Sequence, residues 1–279
     1  MTLSVFKFEQ NGVEIRKALL SSEIIEFVKS DIDLESAKLQ QYGVRNPEKR
    51  FDSIYTLASS PKILSIAERL LKARVSLVRA LFFDKTPSKN WFVTWHQDKT
   101  VTLNKRIDIE GWGPWSIKDG VHHVQPPLPI LNTMITFRLH IDPADEENGC
   151  LEVIPGSHEH GLLKQTEIEA IVKSGIAVPC VVEAGDAVIM RPHILHSSSK
   201  AKRPNHRRVV HLEYSGYERP DGINWVSAQT RTLMSALLKN QSSFIVLLLR
   251  NISVHILKTA MSAIAVNLTF IVRILNVDF

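Results

Sequence analysis

The chain has 279 residues, 44% of them hydrophobic and 23% charged, a balance typical of a globular protein that buries a sizeable core. Two cysteines, Cys150 and Cys180, are too few for a disulfide framework, so a reducing, cytoplasmic setting is expected. The net charge of +5 belongs mostly to the C-terminal stretch: residues 1–222 hold 29 basic and 28 acidic side chains, which argues against a nucleic-acid partner.

Glu9 and Glu14 precede any long apolar run, so neither a signal nor a transit peptide is expected. Ser22, ahead of Glu-Ile-Ile-Glu-Phe-Val, opens a capped helix over 22–30, and 33–41 reads as another. Ser60 before Pro61 pairs a cap residue with a first-turn proline. Apolar residues then recur at helical spacing, which predicts a helix over 61–73.

After Arg74 the pattern turns strand-like, over 75–83 and 90–96, with Lys85-Thr86-Pro87-Ser88 as turn material between. The stretch 111–127, rich in Gly, Trp and Pro, reads as a long functional loop, with Trp112, Trp115, His122, His123 and Gln125 as a selectivity wall. Short strands follow at 133–141, 150–154, 178–183, 186–191 and 207–214, interrupted by one helix over 166–173. The turns Asp145-Glu146-Glu147-Asn148-Gly149 and Glu183-Ala184-Gly185-Asp186 lie between them. This order predicts a mainly β fold with N-terminal helices, a double-stranded β-helix of the jelly-roll, cupin-like type.

From Ile223 to Val277 there is no Gly, Pro or acid, so the chain divides into a main domain over 1–227 and a hydrophobic, basic extension over 228–279. Its longest charge-free run, Thr259–Val272, is 14 residues. A membrane-spanning helix needs about 20. The extension is therefore expected to pack on the body or mediate a homo-oligomer, not to span a membrane.

The chemistry centres on Trp95-His96-Gln97-Asp98. On an extended strand, side chains two apart share a face, so His96 and Asp98 are same-side neighbours and Gln97 points away. One more imidazole completes two histidines and a carboxylate on one face of a metal, the arrangement of non-haem Fe(II) oxygenases. His193 and His196, three apart, both remain candidates on spacing alone. Arg138, on a half-buried strand, needs a partner, either an acid of the chain or an acidic ligand.

Lys85-Thr86-Pro87, Trp95-His96-Gln97-Asp98, Glu147-Asn148-Gly149 with Ile154-Pro155-Gly156-Ser157-His158, Gly185-Asp186, His196-Ser197-Ser198 and Arg207-Arg208 follow in that order. Over about residues 10–227 this resembles the phytanoyl-CoA dioxygenase family of Fe(II)- and 2-oxoglutarate-dependent oxygenases. The resemblance implies His96, Asp98 and His196 as catalytic iron ligands. It implies Arg207 and Ser198 as the holders of the far carboxylate of 2-oxoglutarate; alternation then turns Arg208 outward, whereas the alternative register would bring Arg208 inside. Gln97, although turned from the metal side, stands where the family can touch cosubstrate.

The implied reaction uses O2 to hydroxylate an unactivated C–H bond of a small molecule, releasing succinate and CO2. Asp98 fills a position that related halogenases leave open for chloride. No phosphate-cradling loop or basic cluster in the body singles out a CoA ester. A cupin-like Zn(II) hydrolase or a silent scaffold is the rival reading, and it gives Arg207 and Ser198 no task.

Overall fold

Alternation along three long neighbouring strands determines what each face of this molecule does. The structure is a computed structural model and describes residues 6–34 and 43–228. Most of the helix expected over 33–41, and all but the first residue of the extension, lie outside the described residues.

The chain begins with α1 (Phe8–Asn11), β1 (Val13–Arg16), α2 (Ser22–Asp33), β2 (Gly43–Arg45), α3 (Asp52–Ala58) and α4 (Pro61–Leu71). Then come β3 (Ser76–Lys85), β4 (Val93–His96), β5 (Val101–Leu103), β6 (Trp115–Lys118), β7 (Val121–Val124) and the short α5 (Leu128–Leu131). The remainder is β8 (Met134–His140), β9 (Leu151–Val153), α6 (Gln165–Ser174), β10 (Val178–Cys180), β11 (Ala187–Met190), β12 (His196–Ser198) and β13 (Arg207–Ser215).

These strands form a six-stranded sheet in the order β1-β11-β8-β13-β3-β2, a four-stranded sheet in the order β10-β9-β12-β4, and a small sheet β5-β7-β6. Every pairing is antiparallel. The small sheet corrects the sequence reading: 111–127 is not one loop, since most of it folds into the β6–β7 hairpin. Short strands among Gly and Pro carry too little periodicity to announce themselves.

One face of the six-stranded sheet is apolar. Ala80 and Phe82 of β3, Ile135, Phe137 and Leu139 of β8, and Val210, Leu212 and Tyr214 of β13 form one buried cluster with the helices. The helices meet it with apolar stripes: Ile25, Val28 and Ile32 from α2, and Ile63, Ile66 and Ala67 from α4. Tyr214, fully buried, also donates its hydroxyl to the Ala58 carbonyl at 2.8 Å, tying the sheet to the end of α3.

The intervening residues of the same strands face the other way, and most are polar: Arg79 and Lys85 of β3, Thr136, Arg138 and His140 of β8, and Arg207, His211 and Glu213 of β13. Among the described residues no helix is long and apolar enough to cross a membrane.

Tyr214→Phe keeps the ring packing but strands a buried carbonyl. It is expected to cost about 1–2 kcal/mol of stability, read as a lower urea midpoint at unchanged slope.

Candidate metal and anion site

The polar face of the six-stranded sheet and the short strands of the four-stranded sheet close around a cavity of about 210 Å³. His96, Asp98, His196, Ser198, Arg138, Arg207 and His211 supply its polar lining, and Leu81, Phe83, Trp91, Val93 and Leu151 its apolar wall.

Pairing of β12 with β4 sets His196 directly opposite His96, ring centroids 4.2 Å apart. Asp98 lies just past the end of β4, held there by its N–H, which donates to the Pro192 carbonyl at 2.9 Å. His96 Nδ1 lies 2.8 Å from the Thr94 carbonyl and His196 Nδ1 lies 2.9 Å from that of Ile194. A carbonyl only accepts, so both Nδ1 atoms carry the proton and both Nε2 lone pairs are free. Those lone pairs face Asp98: His96 Nε2 is 3.9 Å from Oδ1 and His196 Nε2 is 3.6 Å from Oδ2.

Two ligand atoms on one ion with bonds of about 2.1 Å can stand no more than about 4.2 Å apart, so a single divalent ion fits these spacings. Burial, then the neighbouring His96, pushes the His196 pKa down to about 3, which keeps its imidazole neutral and ready to ligate. Burial acts to raise the Asp98 carboxyl, but the facing His196 and His96 outweigh it and hold the group below the usual carboxylate range.

Of the two imidazoles left open by spacing, the structure brings His196 to His96 and Asp98. His193 is buried elsewhere, its ring 6.0 Å from that of His158. Gln97 requires a correction. Its amide donates to the Gly161 and His193 carbonyls, both at 2.7 Å, and accepts from the Leu163 N–H at 2.9 Å. It does not line the cavity, and its amide ties together two backbone segments, 161–163 and the one at His193.

A second set, Asp98 with His211 and Glu213, is also close enough to hold an ion. Its hydrogen bonds argue otherwise. Arg138 Nη1 lies 3.1 Å from His211 Nδ1, and an arginine only donates, so Nδ1 accepts and the ring proton sits on Nε2. Nε2–H then donates to Glu213 Oε1 at 2.9 Å, which also accepts from Arg79 at 2.5 Å. Both ring nitrogens of His211 are committed.

The far end of the cavity is cationic. Arg207, 3% exposed, reaches the Gly149 carbonyl and Ser198 Oγ, the latter at 3.3 Å, and meets no carboxylate among the described residues. Arg208, next along the strand, turns outward into an ion pair with Asp142 at 2.8 Å, so it is paired and not simply solvated. Arg138 likewise finds no acid within ion-pair distance among the described residues. Besides His211, its guanidinium stands 5.7 Å from the Phe83 ring centroid.

Two contributors were missed in the sequence. Lys85, read there as turn material, is the last residue of β3 and lies directly opposite Arg207. It donates to Ser198 Oγ at 3.0 Å and to the Ser199 carbonyl. Its period-two spacing from Leu81 and Phe83 was the available signal. Gly149, φ +72°, lets its carbonyl meet both Arg207 and Ser198; a Cβ there would stand 2.3 Å from the Ser199 carbonyl oxygen.

The expected selectivity wall is also redrawn. Of its five residues only His123 lines a cavity at the site. Trp112 and Trp115 pack against a buried cluster that includes Trp225, Leu103 and Val124.

A sequence profile described as Phytanoyl-CoA dioxygenase (PhyH) matches residues 17–209, and the chain belongs to that family of Fe(II)- and 2-oxoglutarate-dependent oxygenases. It is 24% identical over 185 residues to phytanoyl-CoA dioxygenase domain-containing protein 1 of Danio rerio, covering 61% of this chain and 55% of that one. It is 27% identical over 104 residues to methylphosphonate hydroxylase of Gimesia maris, covering 36% and 40%. The chain thus spans about half the length of the curated relatives it matches.

Among solved structures, the non-heme alpha ketoglutarate dependent carbocyclase SnoK superposes with TM-score 0.61 at 14% identity, over 84% of this chain and 90% of its own. HygX from Streptomyces hygroscopicus, with nickel and 2-oxoglutarate bound, gives 0.55 at 14%, over 77% and 88%.

Burial, then Arg207 and Arg138, lowers the Lys85 pKa to about 7. Its charge favours a bound anion below that pH and is lost above it. Binding of 2-oxoglutarate, measured by calorimetry, is therefore expected to weaken as pH rises through about 7. In Lys85→Met binding should be weaker at low pH and lack that slope.

Proposed function

We propose that this protein is an Fe(II)- and 2-oxoglutarate-dependent dioxygenase that hydroxylates an unactivated C–H bond of a small molecule. The observation that carries the reading is the pairing of two oriented imidazoles and Asp98 with an uncompensated guanidinium fork, Arg207, in one cavity. The sheets form, on this reading, a double-stranded β-helix, with the catalytic domain over 1–227 and a hydrophobic, basic extension from 228 that mediates self-association. Two buried free cysteines suit a cytoplasmic setting.

His96, Asp98 and His196 would hold the ion from one side and leave its other positions to cosubstrate and O2. When bound, the iron supplies the dioxygen chemistry that couples decarboxylation of 2-oxoglutarate to succinate and CO2 with oxygen insertion into the substrate.

The chain's own residues do the positioning. Arg207 offers two parallel N–H donors that match the far carboxylate and remains cationic, although burial and Arg138 lower its pKa to about 10. Ser198, whose proton now goes to the Gly149 carbonyl at 3.0 Å, rotates to donate to the same carboxylate. Leu81, Phe83, Trp91, Val93 and Leu151 keep water from the reacting centre. A Zn(II) hydrolase or a silent scaffold has no use for a buried arginine fork without a carboxylate, whose burial costs several kcal/mol until an anion answers it.

The test is an anaerobic visible spectrum. Fe(II) and 2-oxoglutarate together should give a metal-to-ligand charge-transfer band that is absent in His196→Ala. Arg207→Ala should need about a hundredfold more 2-oxoglutarate to reach the same band. A folded, iron-loaded wild type with no band would overturn the proposal. Given a band, a product carrying one added oxygen from O2 distinguishes hydroxylation from the ring-forming outcome of a carbocyclase.

A further inference from the structure

A second cavity, about 260 Å³, shares Leu81, Phe83, Trp91 and Asp98 with the first. Its other lining comes from Gly43 and Arg45 of β2, Arg79 of β3, Lys118 of β6 and His123 of β7. His196, Ser198, Arg138 and Arg207 do not line it, so it meets the metal site at Asp98 without including the carboxylate-binding end.

Apart from Asp98, every ionisable group of this outer cavity among the described residues is a base. Two nearby acids answer two of them: Asp119 pairs with Arg45 and Glu213 with Arg79, each at 2.5 Å. Lys118 has no acid partner among the described residues, and Arg79 Nε is buried without an acceptor. His123 is 3% exposed, and neither of its ring nitrogens has a partner. A buried imidazole left unanswered on both sides is costly unless something else completes it.

The charges of the whole site point the same way. A divalent ion and a dianionic cosubstrate cancel. Arg138, Arg207 and Lys118 then stand against Asp98 alone, an excess of two positive charges before Lys85 is counted. A second anion reduces that excess, by one charge for a carboxylate and by up to two for a phosphate or phosphonate; a neutral substrate does not.

We propose that the outer cavity binds an anionic group of the primary substrate, a carboxylate, phosphate or phosphonate, through Lys118 and Arg45 at the rim with His123 and Arg79 behind. That the occupant is the primary substrate rests on the oxygenase reading; that the cavity binds an anion does not. Arg45 and Asp119 are both partly solvent-exposed, 40% and 57%, so Arg45 can exchange its carboxylate for a ligand at little cost. Burial, then Arg79 and Lys118, keeps His123 neutral, its pKa lowered to about 4, so its ring donates one hydrogen bond and accepts another.

The experiment is calorimetry on the full chain, loaded with redox-silent Ni(II) and saturated with 2-oxoglutarate. The probes are methylphosphonate and propionate, with the uncharged dimethyl methylphosphonate as comparator. At least one anion should bind saturably and the neutral ester should not. Lys118→Glu and, separately, Arg45→Gln should weaken the anion about tenfold while leaving 2-oxoglutarate affinity within about twofold. Lys118 is exposed on a hairpin, so its variant tests binding and not folding.

The proposal is overturned if neither anion binds, or if both variants bind it as the wild type does. Failure of 2-oxoglutarate itself to bind would sink the oxygenase reading instead. The anion titration is read in the same way without it, so the two failures remain separate.

Discussion

The antiparallel register of β13 against β8 and β3 is the constraint from which the site follows. It sets Arg207 opposite Lys85, His211 opposite Arg138 and Leu81, and Glu213 opposite Arg79, all on one face. A slip of one residue would send these groups into the helices and bring Leu212 and Tyr214 to the cavity. The apolar cluster on the other face, which counts Phe137, Val210 and Phe82 among its members, holds the register fixed. Hydrophobic burial thus aims the chemistry without touching it.

The electrostatics of this face are unfavourable on their own. Like charges directly opposite in a sheet repel, and Arg207 and Lys85 are such a pair. Their backbone and hydroxyl acceptors, Gly149, Ser198 and Ser199, satisfy hydrogen bonds without supplying negative charge. The neighbouring Arg79–Glu213–His211–Arg138 chain shows the contrasting case, in which an internal acid, Glu213, accepts from both Arg79 and His211. One cluster carries its own acid. The other has no carboxylate partner among the described residues.

Much of this was legible in the sequence. His96, Asp98 and His196, the residues proposed to hold the metal, were read from ordered motifs; the choice of Arg207 came from the family resemblance, and alternation then turned Arg208 outward. The long strands and the two longer helices at 22 and 61 were readable because their apolar periods are clean. What escaped depended on tertiary approach. Gln97 was placed correctly as facing away, but nothing local revealed that Gly161, His193 and Leu163 would claim its amide. Lys85 looked like turn chemistry because the following Thr-Pro-Ser is a turn, while its own partner is more than a hundred residues away. The β6–β7 hairpin hid among glycines and prolines whose pattern speaks only of breaks. Arg138 posed a question in the sequence, an acid or a ligand, and the structure shows no direct ion pair among the described residues, only a link to Glu213 through His211.

The two ends of the site also differ in how they are tethered. Arg207 and Arg138 rise from β13 and β8, strands hydrogen-bonded on both sides in the middle of the large sheet. Arg45 and Lys118 come from β2 and β6, each the outermost strand of its sheet with a single neighbour. Insertions and exchanges at an outermost strand disturb one ladder, whereas the same change in the middle disturbs two. A lineage built on this scaffold can therefore vary the rim strands while keeping the arginine-bearing centre of the large sheet unaltered. The same division tells a protein engineer where to randomise and where to leave the chain alone.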